Sequence, residues 1–168
     1  MRPVLSWIDR VQDDDGTEHA VWDVAYKPDG SELLVAADTK VLVYDGTDGT
    51  LLQSLKGHRD QVYAVAFSCT GERFASGSAD RCVIIWTEQH EGTLRYTHND
   101  AIQCVRFNPT TLSLLSCSLS EFGLWSGSQK SVAKQRSASR ITCCAWSRDG
   151  RFYAVGLFNG VVTVRQAG

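Results

Sequence analysis

Proline is scarce in this 168-residue chain, with three residues against 14 glycines, which excludes collagen-like and proline-rich low-complexity architectures. Charge of either sign is not in surplus: 17 basic and 19 acidic side chains leave a net −2, far from the basic excess of a dedicated nucleic-acid binder. No apolar run approaches the roughly 18 residues that span a bilayer. The start, Met1 to Arg10, meets Asp9 and Arg10 before a signal-peptide apolar stretch can form. Asn108-Pro109-Thr110 is the one Asn-x-Thr triplet, and its central proline disqualifies it as a glycosylation acceptor. None of the six cysteines (69, 82, 104, 117, 143 and 144) stands in C-x-x-C spacing. The expectation is an intracellular chain whose cysteines are reduced thiols acting as small hydrophobes on strands.

Catalytic and metal-binding signatures are absent too. There is no G-x-x-x-x-G-K-[ST], no G-x-G-x-x-G and no H-E-x-x-H. His90 and His98 lie eight residues apart with only Cys82 nearby, which is not zinc-finger spacing. Asp13-Asp14-Asp15 has no EF-hand frame around it and reads as a solvated loop. No cofactor, no metal and no enzymatic activity are expected.

What is present is a core-forming composition, 43% hydrophobic and 21% charged, organised by an internal repeat. Four segments align: Val21–Tyr26, Val62–Phe67, Ile102–Phe107 and Ile141–Trp146, with starts 41, 40 and 39 residues apart. Each alternates apolar with smaller or polar residues and ends on an aromatic, the period-two pattern of a strand. Turn residues follow each one: Pro28-Asp29-Gly30, Cys69-Thr70-Gly71, Pro109-Thr110-Thr111 and Arg148-Asp149-Gly150. A second strand comes next, then a third (Val41–Tyr44, Val83–Trp86, Phe122–Trp125, Val161–Val164). A weaker fourth is read at 51–55, 94–97 and 131–134. Four short strands per unit of about 40 residues is the signature of a WD40 propeller blade. The fold class is therefore all-β, with four-stranded antiparallel blades.

The second unit carries the fullest motif. Gly57-His58 precedes its first strand, Ser76-Gly77-Ser78-Ala79-Asp80 closes the second strand and its turn, and Trp86 ends the third. His58, Ser76, Asp80 and Trp86 match the buried hydrogen-bond tetrad of such blades. Asp80 accepts from one imidazole nitrogen, the other nitrogen accepts the Ser76 hydroxyl, and that hydroxyl accepts the Trp86 indole N–H, so every buried polar group has a partner. His, Ser and Asp could also compose a hydrolase triad, but no Gly-x-Ser-x-Gly elbow accompanies them, and His58 is expected to be structural. The other units are degenerate. Unit three keeps His98, Ser116 and Trp125 but has Ser120 where the Asp belongs. Unit one has His19 with Tyr44 at the Trp position, and unit four has Arg165 there and lacks the His. Those blades are expected to rely on apolar packing.

Charge is unevenly spread. Residues 1–100 carry a balance of −8 and residues 101–168 one of +6. Lys130, Lys134, Arg136 and Arg140 have no acidic residue between them and fall on the fourth strand of unit three and the loop after it. They are a candidate patch for an acidic protein surface or anionic lipid heads, against the plainer reading of charges that guard an edge strand.

Beyond the repeat, the chain resembles the N-terminus of the intraflagellar transport protein 122 family. The resemblance rests on Met1–Trp7, Lys27–Gly30, Leu42–Asp45 with Asp48–Leu52, Arg73–Asp80 and Val83–Thr87. It continues in Tyr96–Val105, Phe122–Ser126 and Gln129–Val132, positions that WD40 consensus does not dictate. The acidic stretch at Asp13–Asp15 and the divergent turn Leu119-Ser120-Glu121 mark a distant member. The resemblance implies a WD-repeat scaffold subunit of the intraflagellar transport A complex, in the cilium or flagellum, its basal body and the cytoplasm. It implies a role in retrograde transport, cilium assembly and ciliary entry of membrane proteins. Its partners would be other subunits of that complex and ciliary cargo adaptors, with peripheral membrane association open and no nucleic acid. The alternative is a generic WD40 adaptor that recognises a peptide or acidic surface outside the cilium.

Length then bounds the architecture. Repeats at approximately 19–57, 58–97, 98–138 and 139–168 make about four blades of a larger, seven-bladed ring, preceded by a lead-in over 1–18. Val4–Trp7 is apolar enough to serve as a closing strand for a last blade. The expectation is an N-terminal, partial propeller: an open arc with two exposed sheet edges and an aggregation liability in isolation.

Overall fold

Alternating apolar residues between turns produce strands. The computed structural model describes residues 4–127 and 132–167, and no helix occurs among them. Among the described residues fifteen strands form four antiparallel sheets in simple meander order. Blade 1 comprises β1 (Val21–Tyr26), β2 (Glu32–Ala37), β3 (Lys40–Asp45) and β4 (Leu51–Lys56). Blade 2 comprises β5 (Val62–Phe67), β6 (Arg73–Ser78), β7 (Cys82–Thr87) and β8 (Gly92–Thr97). Blade 3 comprises β9 (Ile102–Phe107), β10 (Leu114–Ser118), β11 (Glu121–Trp125) and β12 (Ala133–Arg136), and blade 4 comprises β13 (Ile141–Trp146), β14 (Phe152–Leu157) and β15 (Val162–Gln166). The first strands β1, β5, β9 and β13 lie side by side and define the inner rim, each blade packing face-on against the next.

The core lies between the sheets. Leu34, Val41, Val43, Val62, Val65 and Phe74 fill the space between blades 1 and 2, and Ala75, Val83, Ile85, Ile102, Val105 and Leu114 that between blades 2 and 3. Leu115, Phe122, Ile141 and Val155 do the same between blades 3 and 4. Gly77 marks the closest approach: a Cβ there would sit 2.4 Å from Ile102 Cγ2, so the second interface admits no side chain at this point. A polar clasp joins blades 1 and 2, with the nearly buried Lys27 ammonium 2.9 Å from Glu88 and 3.9 Å from Glu32.

The ends of the stack differ from its middle. β6 and β7 are buried almost throughout, whereas Val21, Trp22, Val24 and Tyr26 on β1 and Val162 and Val164 on β15 are exposed. The outer face of blade 1 is partly covered by the lead-in. Trp7 stacks on Tyr44 with ring centroids 5.8 Å apart, and Trp7 and Val11 pack on Leu33, Val35 and Leu42. Residues 4–10 form no strand among the four blades described, and Trp7 finds its apolar burial on the face of blade 1. The Asp13–Asp15 run lies in an exposed loop, and within it Asp13 is tied to two basic side chains. Its carboxylate lies 2.8 Å from His19 Nε2 and 3.2 Å from Lys40 Nζ, and these two bonds hold it below the ordinary carboxylate range.

Candidate functional site: buried tetrads and the cleft at the inner rim

In blade 2 the chain returns on itself so that four polar side chains meet in the core. β6 supplies Ser76, fully buried, β7 supplies Trp86, and the loop before β5 supplies His58. His58 Nε2 lies 2.8 Å from Ser76 Oγ, and the Trp86 indole N–H donates to the same oxygen at 2.9 Å. His58 Nδ1 lies 3.1 Å from Asp80 Oδ2. Asp80 also accepts the backbone N–H groups of Arg59 at 3.0 Å and Cys82 at 2.9 Å, and the Arg95 guanidinium at 3.1 Å. Burial pushes the Asp80 carboxyl up, but the two backbone donors and His58 outweigh it and hold it below the usual value. Burial also dominates at His58, lowering its proton affinity against the pull of Asp80. The neutral imidazole, carrying its proton on Nδ1, then fits both neighbours: it donates to Asp80 and accepts from the Ser76 hydroxyl.

Blade 3 was expected to lack the carboxylate. The structure corrects this. His98 Nε2 lies 2.9 Å from Ser116 Oγ, and His98 Nδ1 lies 3.0 Å from Glu121 Oε1, although poorly aligned for a directed hydrogen bond. Glu121, 5% exposed, accepts the backbone N–H of Asn99 at 3.0 Å just as Asp80 accepts that of Arg59. Ser120 turns away and bonds Asp100. The reason is the hairpin. Trp86 follows Ser76 by ten residues and Trp125 follows Ser116 by nine, while the strand registers match (Phe74↔Trp86, Leu114↔Trp125). The missing residue comes out of the turn, so the carboxylate falls on the first residue of β11 and needs the longer glutamate arm. One feature has no counterpart in blade 2: the Tyr96 hydroxyl donates to Ser116 Oγ at 3.0 Å, and the buried Trp125 indole N–H has no partner.

Blades 1 and 4 replace the tetrad by other contacts. Tyr44 donates its hydroxyl to Asp9 Oδ2 at 2.8 Å, and burial together with Asp9 pushes the phenol up to about 12. The Arg165 guanidinium lies 5.1 Å from the centroid of Phe122, against the neighbouring blade.

Of the basic residues that are described, Arg140 stands apart from Lys134 and Arg136. Lys130 lies outside the described residues. Lys134 and Arg136 stand on the outer strand β12, where Lys134 bonds the Thr97 carbonyl of blade 2. Arg140 leads into the innermost strand β13 and lines a cleft of about 400 Å³ together with Trp22, Tyr63, Gln103, Ala101 and Leu119. Trp22, Tyr63 and Gln103 were not singled out from the sequence, yet each is the second residue of its first strand, the position skipped by a β-bulge. A bulge re-aims the side chain it carries. Recurrence of that position at the repeat spacing was the signal available. Trp22 and Tyr63 meet edge-on at 5.0 Å, and the Trp22 indole donates to Gln61.

Meander sheets packed around a common inner rim, with a His–Ser–Asp–Trp tetrad inside a blade, define a β-propeller of the WD-repeat class. The family model described as the IFT122 first beta-propeller matches residues 20–168. The chain belongs to that family. Over 165 residues, 98% of its length, it is 59% identical to the intraflagellar transport protein 122 homolog of Xenopus tropicalis and 58% identical to that of Danio rerio; each match covers 14% of the relative. The Homo sapiens homolog is 58% identical over the same share of the chain and 13% of its own length. The chain thus spans about one-seventh of the curated relatives it matches.

Proposed function

We propose that this chain is the opening propeller segment of a subunit of the intraflagellar transport A complex, acting as a scaffold through protein–protein contacts in the cilium or flagellum. The observation that carries the reading is the identity of 56–59% to intraflagellar transport protein 122 homologs along nearly the whole chain. Retrograde transport, cilium assembly and ciliary entry of membrane proteins are the activities proposed for the whole protein, with other subunits of the complex and cargo adaptors as partners. The buried tetrad supports a non-enzymatic role. Ser76 Oγ is committed to His58 and Trp86, and the His58 side chain is 1% exposed, so a substrate has no approach to the hydroxyl. The test is affinity purification of the tagged full-length protein from ciliated cells with mass spectrometry. Co-purification of transport-complex subunits is expected, and their absence would overturn the proposal.

A second reading, a WD-repeat adaptor for an acidic peptide outside the cilium, is favoured by the cleft in which Arg140 stands beside Trp22 and Tyr63. Aromatic faces and a guanidinium suit a segment with apolar and carboxylate side chains. Charge reversal at Lys130, Lys134, Arg136 and Arg140 separates the contributions: Arg140→Glu alone should abolish peptide capture, and unchanged binding in all four variants counts against this reading.

A further inference from the structure

Three cysteines far apart in the chain converge between blades 3 and 4. Cys104 on β9 and Cys117 on β10 are cross-strand partners, and Cys144 comes from β13 of the next blade. Their sulfurs all lie within 4.8 Å of one another, and Cys104 Sγ is 3.0 Å from Cys144 Sγ. Cys117 is fully buried, Cys104 is 7% exposed and Cys144 is half-buried. Leu115, Phe122, Tyr153 and Val155 belong to the same apolar cluster.

This grouping exceeds what thiols acting as small hydrophobes require. Apolar packing places no premium on three sulfurs touching, and the sheet offers many other positions for them. A zinc–thiolate bond is about 2.3 Å long, so three thiolates around one ion stand roughly 3.8 Å apart. Opening the Cys104–Cys144 contact by under about 1 Å reaches that spacing. Thiolate sets select soft ions over magnesium or calcium. The Arg106 charge offsets part of the negative charge that three thiolates bring.

We propose that Cys104, Cys117 and Cys144 form a thiolate site for a soft d10 metal ion, zinc(II) or copper(I), which fastens blade 4 to blade 3. Binding exchanges three thiol protons for one ion and involves no change of oxidation state. Copper(I) is satisfied by three sulfurs, whereas zinc would need a fourth ligand beyond these three.

The test uses the full-length protein purified anaerobically, with metal content measured by mass spectrometry for wild type, Cys104→Ser, Cys144→Ser and Cys117→Ala. Loss of one equivalent of zinc or copper is expected in each, and which ion disappears identifies the metal. Cys69→Ser and Cys143→Ser, exposed residues outside the cluster, should retain it. A second measurement needs no variant. Cys104, Cys117 and Cys144 in wild type should be protected from alkylation until a chelator is added. Equal metal content in all variants, alkylation indifferent to chelator, or a Cys104–Cys144 disulfide in the anaerobic preparation would each overturn the proposal.

Discussion

Blades 2 and 3 bury a histidine on the same serine contact, 2.8 Å and 2.9 Å long, and complete it differently. Blade 2 uses Asp80 from the turn and lets Trp86 close the chain of bonds at Ser76. Blade 3 uses Glu121 from the following strand, and a tyrosine from blade 2 takes the place at Ser116 that an indole fills in blade 2. The difference teaches that the constraint acts on the buried atoms rather than on sequence positions. A carboxylate must face imidazole Nδ1 and the backbone N–H one residue after the histidine; a donor must reach the serine oxygen. Which residue supplies either is set by hairpin length and by the neighbouring blade.

The largest effects should come from the carboxylates. Asp80→Ala leaves the His58 imidazole and the Arg59 and Cys82 backbone N–H groups without their acceptor, and Glu121→Ala leaves the Asn99 N–H without its acceptor and takes the carboxylate from beside His98, each at about 3 kcal/mol. Ser120→Ala should cost less than about 0.5 kcal/mol, as exposed substitutions do. Chemical denaturation of the three variants decides the matter, and a Ser120→Ala loss equal to that of Glu121→Ala would break the comparison.

Acid is the next lever. His98 is lowered to about 4, chiefly by burial, with Glu121 pulling up and Lys134 pushing down. Its ordinary value is about 6.5. Between those limits the unfolded chain binds more protons than the folded one, so stability rises with pH across the window and is lost as pH falls from about 6.5 through about 4. His58, shifted the same way, adds to the loss with the same sign. Glu121→Gln removes the charge that props up His98 and should extend the window to lower pH. Melting temperatures across pH 4 to 7 check this; a flat profile in wild type would contradict the burial of a neutral His98.

Much of this architecture was legible from residue spacing. The four aligned segments are β1, β5, β9 and β13 with the same limits, because the first strand of each blade must alternate and must recur once per blade. The blade 2 tetrad residues were legible because their types are unusual inside a strand repeat. Glu121 was not, since a one-residue deletion in a turn shifts the carboxylate while leaving every strand in register. Nor was the cysteine cluster, whose members come from three strands of two blades and share no local motif. The packing of Trp7 on Tyr44 was not legible either, because an apolar tetrapeptide such as Val4–Trp7 satisfies a strand pattern and a face-covering coil equally well.

Smaller effects probe the indoles. Trp86 and Trp125 are 5% and 4% exposed, so Trp→Phe removes a similar buried ring at each. Only Trp86 also loses a hydrogen bond to a buried oxygen, so Trp86→Phe should be the more costly by about 1 kcal/mol. The smallest effect is the most informative. Tyr96→Phe removes the donor at Ser116, and the vacated lone pair is then open to the Trp125 indole, 9 residues along the chain from that serine and in the register that serves Trp86. Recovery of that bond should hold the cost of Tyr96→Phe to about 0.5 kcal/mol, the low end for a net hydrogen bond. In a Trp125→Phe background no substitute donor remains, and the same change should cost about 1 kcal/mol more. The double-mutant cycle isolates this exchange. A coupling energy of zero would show that the tyrosine and the indole do not compete for one oxygen, and that blade 3 is held by a different arrangement from blade 2 rather than by a rerouted version of it.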